Sequence, residues 1–113
     1  MKIVVAGGTN AAEYIIKNFK SSKNELIVIN NDKKSAEQIA KDNRVPVLYG
    51  DPSKKHVLNE AHIEGYDIFI SVSDKDENNF CACYLAKKAF NIKKCIAIII
   101  LFNRHMIYFI KRI

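Results

Sequence analysis

Lys2–Phe19, KIVVAGGTNAAEYIIKNF, is the stretch that decides the fold. A short apolar run at 3–6 ends at Gly7-Gly8, and apolar residues then return at 12, 15, 16 and 19, which is helical spacing. This order predicts a buried strand, a glycine turn and a helix that begins over the carboxyl end of the strand. In a parallel sheet such a turn is suited to bind phosphates, because free N–H groups and the positive end of the helix dipole point toward the anion.

The glycine turn departs from the dinucleotide fingerprint G-x-G-x-x-G. Its six positions, 7–12, read GGTNAA, so only the first glycine is kept. Gly7 permits the tight turn, Thr9 crowds the approach to a pyrophosphate, and Ala12 is small enough for the helix to pack on the strand. The motif is equally compatible with a strand-to-helix turn that binds nothing. If it binds, we expect Gly7→Val to abolish binding while the fold survives.

Composition describes an ordinary globular domain. The 113 residues suffice for one hydrophobic core, and 49% apolar and 27% charged residues are typical values. The net charge of +6 comes from lysines spread along the chain. Without a recognised nucleic-acid motif, this charge indicates a solvated surface, and we expect no nucleic-acid partner.

Signals for export, membrane insertion and metal binding are absent from the sequence. The first apolar run is too short for a signal peptide, and no window supplies 18 apolar residues. Three cysteines, an odd number, suit a reducing cytosol. Cys81 and Cys83 lie about 200° apart around a helix axis, so they cannot chelate one metal ion. We therefore expect a cytoplasmic protein without a metal site.

Strands and helices alternate along the rest of the chain. The further predicted strands are 25–29, 45–49, 67–72 and 95–101, and the further predicted helices are 34–43, 56–61 and 77–90. Five β-α repeats with right-handed crossovers predict an α/β fold with an open, doubly wound, mostly parallel sheet, Rossmann-like and in three layers. Pro46 indicates an edge strand or a strand start. The strand 95–101 lacks polar alternation, so we expect it to be buried on both faces.

The second strand ends at Asn30-Asn31-Asp32. In a dinucleotide fold an acid at this end accepts both ribose hydroxyls. Asn30 occupies that position, and an amide weakens the preference for NAD and does not repel a 2′-phosphate. Asp32 is expected to cap the next helix.

Little in the sequence indicates catalysis. Asp51, Asp74, Asp76 and Glu77 follow predicted strands, where carboxylates commonly cap helices. An acid–base pair can be drawn from Asp51 and Asp74, but nothing positions a substrate against them. We expect no catalytic residue and no enzyme activity.

The order of motifs resembles the TrkA-N domain, the amino-terminal lobe of RCK (regulator of potassium conductance) proteins, over residues 1–97. The matching pieces are KIVVAGGTNAAEYI at 2–15, VINND at 28–32, YGDPSKKHVLNEAHIEGYD at 49–67 and SVSDKDENNFCACYLAKKAFNIKKCIA at 71–97. The spacing from Gly50-Asp51 through L-x-x-A-x-I-x-x-x-D is more specific for this family than the glycine motif is. Asn79-Phe80 stands where the family usually has Asn-Leu.

This resemblance implies a cytoplasmic regulatory subunit that senses an adenine nucleotide, NAD/NADH or ATP/ADP, for a membrane potassium channel or transporter. The partner would hold it at the inner face of the membrane, and it would form a homo-oligomer. The implied site comprises Gly7, Gly8, Thr9, Asn10 and Ala11 at the phosphates, Asn30 and Asn31 at the ribose, Gly50, Asp51 and Pro52 at the adenine, and Ser73 and Asp74 closing the site. Two alternatives remain open: an NAD(P)-binding oxidoreductase fragment, and an assembly lobe without a ligand.

Residues 98–113 form a divergent tail of the single lobe 1–113, and we expect the carboxyl-terminal RCK lobe to be absent. Ile98 stands where the family often has a basic residue. Met106, Ile110 and Ile113 have helical spacing, and the tail can pack on a second copy, touch a membrane surface or be an unnatural chain end. Because exposed apolar surface marks interfaces, we expect at least a dimer built from residues 98–113.

Overall fold

A computed structural model describes residues 1–8, 10–101 and 104–110. The elements along the chain are β1 (Lys2–Ala6), α1 (Asn10–Phe19), β2 (Glu25–Asn30), α2 (Lys33–Asn43), β3 (Val47–Tyr49), α3 (Lys55–Glu60), β4 (Ile68–Ser71), α4 (Asp76–Phe90), β5 (Lys94–Leu101) and β6 (Arg104–Ile110). The predicted alternation is confirmed from β1 to β5, with ends that differ by at most two residues.

The described strands form one sheet in the order β3-β2-β1-β4-β5-β6. Strands β1 to β5 run parallel, and in register Val5 of β1 lies between Val28 of β2 and Ile70 of β4. The order reverses between β1 and β4, since the chain builds outward from β1 to β3 and then crosses to the other side. β3 is an edge strand that begins directly after Pro46, as predicted.

Two hydrophobic clusters sandwich the sheet, because successive side chains of a strand point to opposite faces. Val4 and Ala6 pack with residues of α3 and α4. Ile3 and Val5 pack with residues of α1 and α2 on the other face. The three layers are therefore as expected from the sequence. In the part of the chain that the structure describes, no helix has the length and apolar character needed to cross a membrane.

The tail departs from its helical spacing. Residues 104–110 form β6, which pairs antiparallel with β5 so that Ile98 lies opposite Ile107. Ile113, which completed the helical pattern, lies outside the described residues. A short apolar run does not separate helix from strand by periodicity alone. The edge of β5 that β4 leaves unpaired provides partners for the backbone of this segment, and the described sheet has six strands instead of the five expected.

Over residues 95–98 the fifth strand is fully buried on one face only. Cys95 and Ala97 are fully buried on the face that α4 covers. On the other face α1 packs on β1 and α2 on β2 and β3, and Ile96 and Ile98 remain half-buried. The absence of polar alternation therefore predicted the strand correctly and its burial incorrectly.

Candidate functional site

The glycine turn after β1 is held tightly between two neighbouring strands. Gly7 has φ +142°, and its N–H donates to Ile29 C=O at 2.9 Å. A Cβ at this position would lie 2.9 Å from the carbonyl carbon of Val72 and 3.0 Å from the amide nitrogen of Ser73. Glycine is thus required both by the backbone angle and by the close approach. Gly7→Val should therefore strain the fold as well as the site, contrary to the expectation that it affects binding alone.

Gly8 lies directly against the side chain of Asn30. A Cβ on Gly8 would meet Asn30 Nδ2 at 2.3 Å, and Asn30 is only 1% exposed. Asn30 Oδ1 accepts the N–H of Asp32 at 3.0 Å, which fixes the orientation of the amide. Asn30 Nδ2 is buried and has no hydrogen-bond partner among the described residues. A donor without an acceptor therefore lies beneath the glycine turn.

The start of α2 is tied to the same turn. Asp32 caps α2 as predicted, because its Oδ2 accepts the N–H of Ser35 at 3.1 Å. The hydroxyl of Ser35 in turn donates to Gly8 C=O at 3.1 Å. The sequence indicated the cap but not the second contact, since a serine in the first turn of a helix is ordinary. Together the two bonds fix Asp32 beside the glycine turn.

Asn79, whose role the sequence did not reveal, joins the ends of β4 and β5. The two strands pair as far as Ser71 and Ala97. Beyond that point Ser73 N–H donates to Asn79 Oδ1 at 2.8 Å, and Asn79 Nδ2 donates to Ile98 C=O at 2.7 Å. The side-chain amide thus takes the place of a backbone peptide group in the ladder. The available signal was an amide in the first turn of a helix that follows a strand.

The loop after β3 brings a third group of predicted residues to the same edge of the sheet. Gly50 N–H donates to Asn30 C=O at 2.9 Å, which ties the loop to β2. Asp51 Oδ1 accepts from the N–H and the hydroxyl of Ser53 at 2.9 and 2.7 Å. Asp51 therefore closes a turn and does not cap α3, whose N-cap is Lys54. Likewise α4 has Lys75 as its N-cap, with no side-chain bond.

Two recesses open at the carboxyl edge of the sheet. The larger has a volume of about 170 Å³ and is lined by Gly8, Asn30, Asn31, Asp32, Ser35, Ser73 and Asp74. The smaller adjoins it and is lined by Gly7, Asn31, Asp51, Pro52, Ser71, Ser73 and Asn78. Asn10 and Ala11 begin α1, Gly50 begins the loop after β3 and lies against Val57, and Thr9 is outside the described residues. Chain folding thus gathers most of the predicted site residues at one place.

The charge of this place is negative. Asp32, Asp51 and Asp74 line the recesses, and no lysine, arginine or histidine is among the described lining residues. The positive potential available to an anion comes from the amino end of α1 and from backbone N–H groups. Such a site favours sugar hydroxyls, which carboxylates accept, and a small phosphate charge.

Two of the three cysteines, Cys83 and Cys95, are buried. Burial raises the pKa of the Cys83 thiol, and burial raises that of Cys95 to about 11 although Lys87 opposes the shift. Both thiols stay protonated at neutral pH. In the described ranges no group of three or more histidine, cysteine, aspartate or glutamate residues is placed to hold a metal ion.

The strand order, the glycine turn and the recess where that order reverses define an α/β protein of the Rossmann class. The chain belongs to the TrkA-N domain family, whose model matches residues 3–107. This match extends ten residues beyond the range over which the motifs resemble the family.

Relatives of similar sequence agree with this assignment. The chain is 27% identical over 97 residues to the Trk system potassium uptake protein TrkA of Haemophilus influenzae, covering 86% of this chain and 21% of the relative. It is 31% identical over 87 residues to the protein of the same name from Halomonas elongata, covering 77% and 19%. The chain therefore spans about a fifth of the length of these relatives.

Solved structures share the fold at low sequence identity. A structure described as the GsuK channel bound to NAD superimposes with a TM-score of 0.70 at 18% identity, over 81% of this chain and 17% of that one. Thermus thermophilus UDP-glucose 4-epimerase, in complex with NAD, superimposes with a TM-score of 0.65 at 13% identity, over 84% and 36%. Both similarities extend over most of this chain.

Proposed function

We propose that this chain is a cytoplasmic regulatory lobe of a potassium channel or transporter, and that it senses an NAD-type dinucleotide at the glycine turn. The relatives are named as potassium uptake proteins, and two structural neighbours are described with NAD bound. The family assignment supports a regulatory role rather than a catalytic one. The partner is a membrane potassium-transport protein, which holds the lobe at the inner face of the membrane.

The observation that carries the proposal is the recess of about 170 Å³ beside the glycine turn. It lies at the carboxyl edge of the sheet where the strand order reverses, which is where open α/β sheets bind ligands. The buried Asn30 Nδ2 without a described partner is a second, independent feature of this place. A dinucleotide would lay its pyrophosphate over 7–11 and its ribose near Asn31 and Asp32.

The acidic lining favours NAD over nucleotides with more phosphate charge. NAD brings a pyrophosphate, whereas ATP brings a triphosphate and NADP an additional 2′-phosphate. Each further negative charge within about 4 Å of a carboxylate costs about 1 kcal/mol in water and about 4 kcal/mol at an effective dielectric constant of 20. Because Asp32 and Asp74 line the recess, we expect repulsion of a 2′-phosphate despite the neutral Asn30. The proposal therefore commits to NAD or NADH.

Titration calorimetry with NAD, NADH, ATP, ADP and NADP tests which nucleotide binds.

The position of the phosphates is tested by Ala11→Glu, with Ala11→Gln as its matched control. Ala11 is half-exposed in the first turn of α1, where an acid is compatible with the helix. The introduced carboxylate would repel a phosphate, so we expect NADH to bind about tenfold or more weakly to Ala11→Glu. Ala11→Gln introduces a side chain of the same size without the charge and should bind nearly as the parent does. Equal affinities of the two variants would place the phosphates elsewhere, and a parent that binds none of the nucleotides would overturn the sensor.

Self-association completes the proposal. We propose that this chain forms at least a dimer through residues 98–113. Ile96 lies just before this segment and Ile98 begins it, and both are half-buried, which supports an interface at this end of the sheet. Light scattering of the full chain against a chain ending at Leu101 tests it, since a dimer that requires the tail supports the assignment and a monomer in both contradicts it.

A further inference from the structure

The two outer strands of the described sheet differ in length and protection. β3 has three residues and follows Pro46, which has no N–H to offer a neighbour. β6 has seven residues, 104–110, and contains no proline and no acidic residue. Among the described strands only β5 pairs with it, so one edge of β6 is free. A long apolar edge is a template for another strand.

The contact of Asn79 identifies which backbone groups of β6 face outward. Asn79 Nδ2 donates to Ile98 C=O, and Asn79 also bonds the end of β4, so the N–H and C=O of Ile98 point toward β4. Ile98 and Ile107 are opposite each other in the antiparallel pair. Two residues opposite each other in an antiparallel pair either exchange backbone hydrogen bonds or both direct their N–H and C=O groups away from each other. Ile107 therefore directs its N–H and C=O to the free edge, and by alternation so do His105 and Phe109.

We infer that a second copy of this chain pairs with β6 in antiparallel register about a twofold axis at Ile107. Only this register pairs all seven residues, with Ile107 opposite its own copy and His105 opposite Phe109. Three pairs that exchange bonds give about six hydrogen bonds between the copies. The charged Arg104 then lies opposite Ile110, so like charges do not meet. The two sheets become one continuous sheet of twelve strands.

This inference rests on the self-association proposed above and is independent of the nucleotide. It specifies the geometry of an isologous interface, in which the same segment of each copy meets itself. A strand from a transport protein is the other occupant that a free edge can accept. Measurements on the purified chain, without partner or nucleotide, separate these possibilities.

Charge variants at the axis provide the decisive experiment. Ile107→Glu and Ile107→Lys each place like charges directly opposite one another, which destabilises a cross-strand pair. We expect each variant alone to be monomeric by size exclusion with light scattering at a concentration where the parent is dimeric. An equimolar mixture should recover the dimer, because the carboxylate of one variant then meets the ammonium group of the other. The matched control is the same pair of changes at Tyr84, which is 59% exposed on α4 and should leave the dimer unchanged.

Hydrogen exchange of the unmodified chain gives a second measurement that does not depend on folding of a variant. In the dimer the amides of 105, 107 and 109 should exchange at least tenfold more slowly than in the diluted monomer. The amides of 104, 106, 108 and 110, which face β5, should change little. A monomeric parent, dimeric single variants, a mixture that stays monomeric, or equal exchange at the two sets of amides would each overturn the inference.

Discussion

Removing the Asn79 side chain should destabilise the fold more than any other single truncation at the edge of the recess. The amide is fully buried and makes five contacts at hydrogen-bond distance, to Ser71 Oγ, to Ser73 N, Oγ and O, and to Ile98 O. Asn79→Ala deprives the Ser73 N–H and the Ile98 C=O of their partner. A polar group left unsatisfied costs about 1–3 kcal/mol, and both groups are only part-buried. We therefore expect a loss of about 3 kcal/mol.

Urea denaturation measures this loss. With an m-value of about 2 kcal/mol/M, a loss of about 3 kcal/mol lowers the midpoint by about 1.5 M. Ser71→Ala is the control, because it removes one hydroxyl bond to Asn79 and should cost about 1 kcal/mol. If Asn79→Ala costs no more than Ser71→Ala, the amide does not bridge the two strands and the explanation is refuted.

Asn79→Asp tests the donor role of Asn79 Nδ2 separately from the acceptor role of Oδ1. The carboxylate keeps the bond from Ser73 N–H but directs an oxygen at the carbonyls that Nδ2 now serves. Burial and these carbonyls disfavour the charged form, so the pKa of this aspartate should lie above its unfolded value. The unfolded chain then loses its proton first as pH rises, and the unfolding free energy falls. We expect a smaller loss at pH 4 than at pH 7. An equal loss at both values would contradict the predicted contacts.

Three further predictions concern Gly8, Cys95 and Asp32. Gly8→Ala should cost about 3 kcal/mol of unfolding free energy in urea titrations, because its Cβ would meet Asn30 Nδ2 at 2.3 Å. Most of this cost should vanish when Asn30 is also replaced by alanine. The control is Gly65→Ala, at φ +82° and with no atom within 4 Å of its Cβ, whose cost should be the same with and without Asn30→Ala. Since burial raises the pKa of Cys95 from 9.0 to about 11, the unfolded chain releases this proton first, and the unfolding free energy should fall between these pH values less steeply in Cys95→Ala than in the parent. Asp32→Asn should keep the cap of α2 and leave the unfolding free energy within about 0.5 kcal/mol of the parent. By calorimetry it should raise the affinity for NADP relative to that for NAD several-fold. An unchanged ratio of the two affinities would mean that Asp32 does not face the 2′ position.

The candidate site could be predicted in part because parallel strands end at one edge of the sheet. Gly7, Asp51 and Ser73 come from three separate strand ends, and sheet formation brings them to the same recess. Strand order alone does not determine whether a side chain faces that recess. Asn30 follows the pattern of a ribose contact, but its Oδ1 is engaged by Asp32 N–H and its Nδ2 lies under Gly8. Only the packing of the turn on β2 decides this orientation.

By itself the sequence determined the parallel part of the fold and its local signals. Alternating strand and helix periods predicted β1 to β5, the positive φ of Gly7 agrees with the glycine turn, and Asp32 caps α2. These features depend on residues within a few positions of one another, so a local pattern is sufficient to predict them.

The tertiary structure decided the rest. Residues 104–110 have a pattern compatible with a helix, and they form a strand because β5 offers them an unpaired backbone edge. Asn79 looks like an ordinary helix residue, and it becomes part of the ladder because Ser73 and Ile98 meet at its amide. In both cases the determining partner is a backbone group of another element, which a side-chain pattern does not encode. Backbone N–H and C=O groups are the same in every residue except proline, so the amino-acid pattern does not reveal which of them will be left to pair.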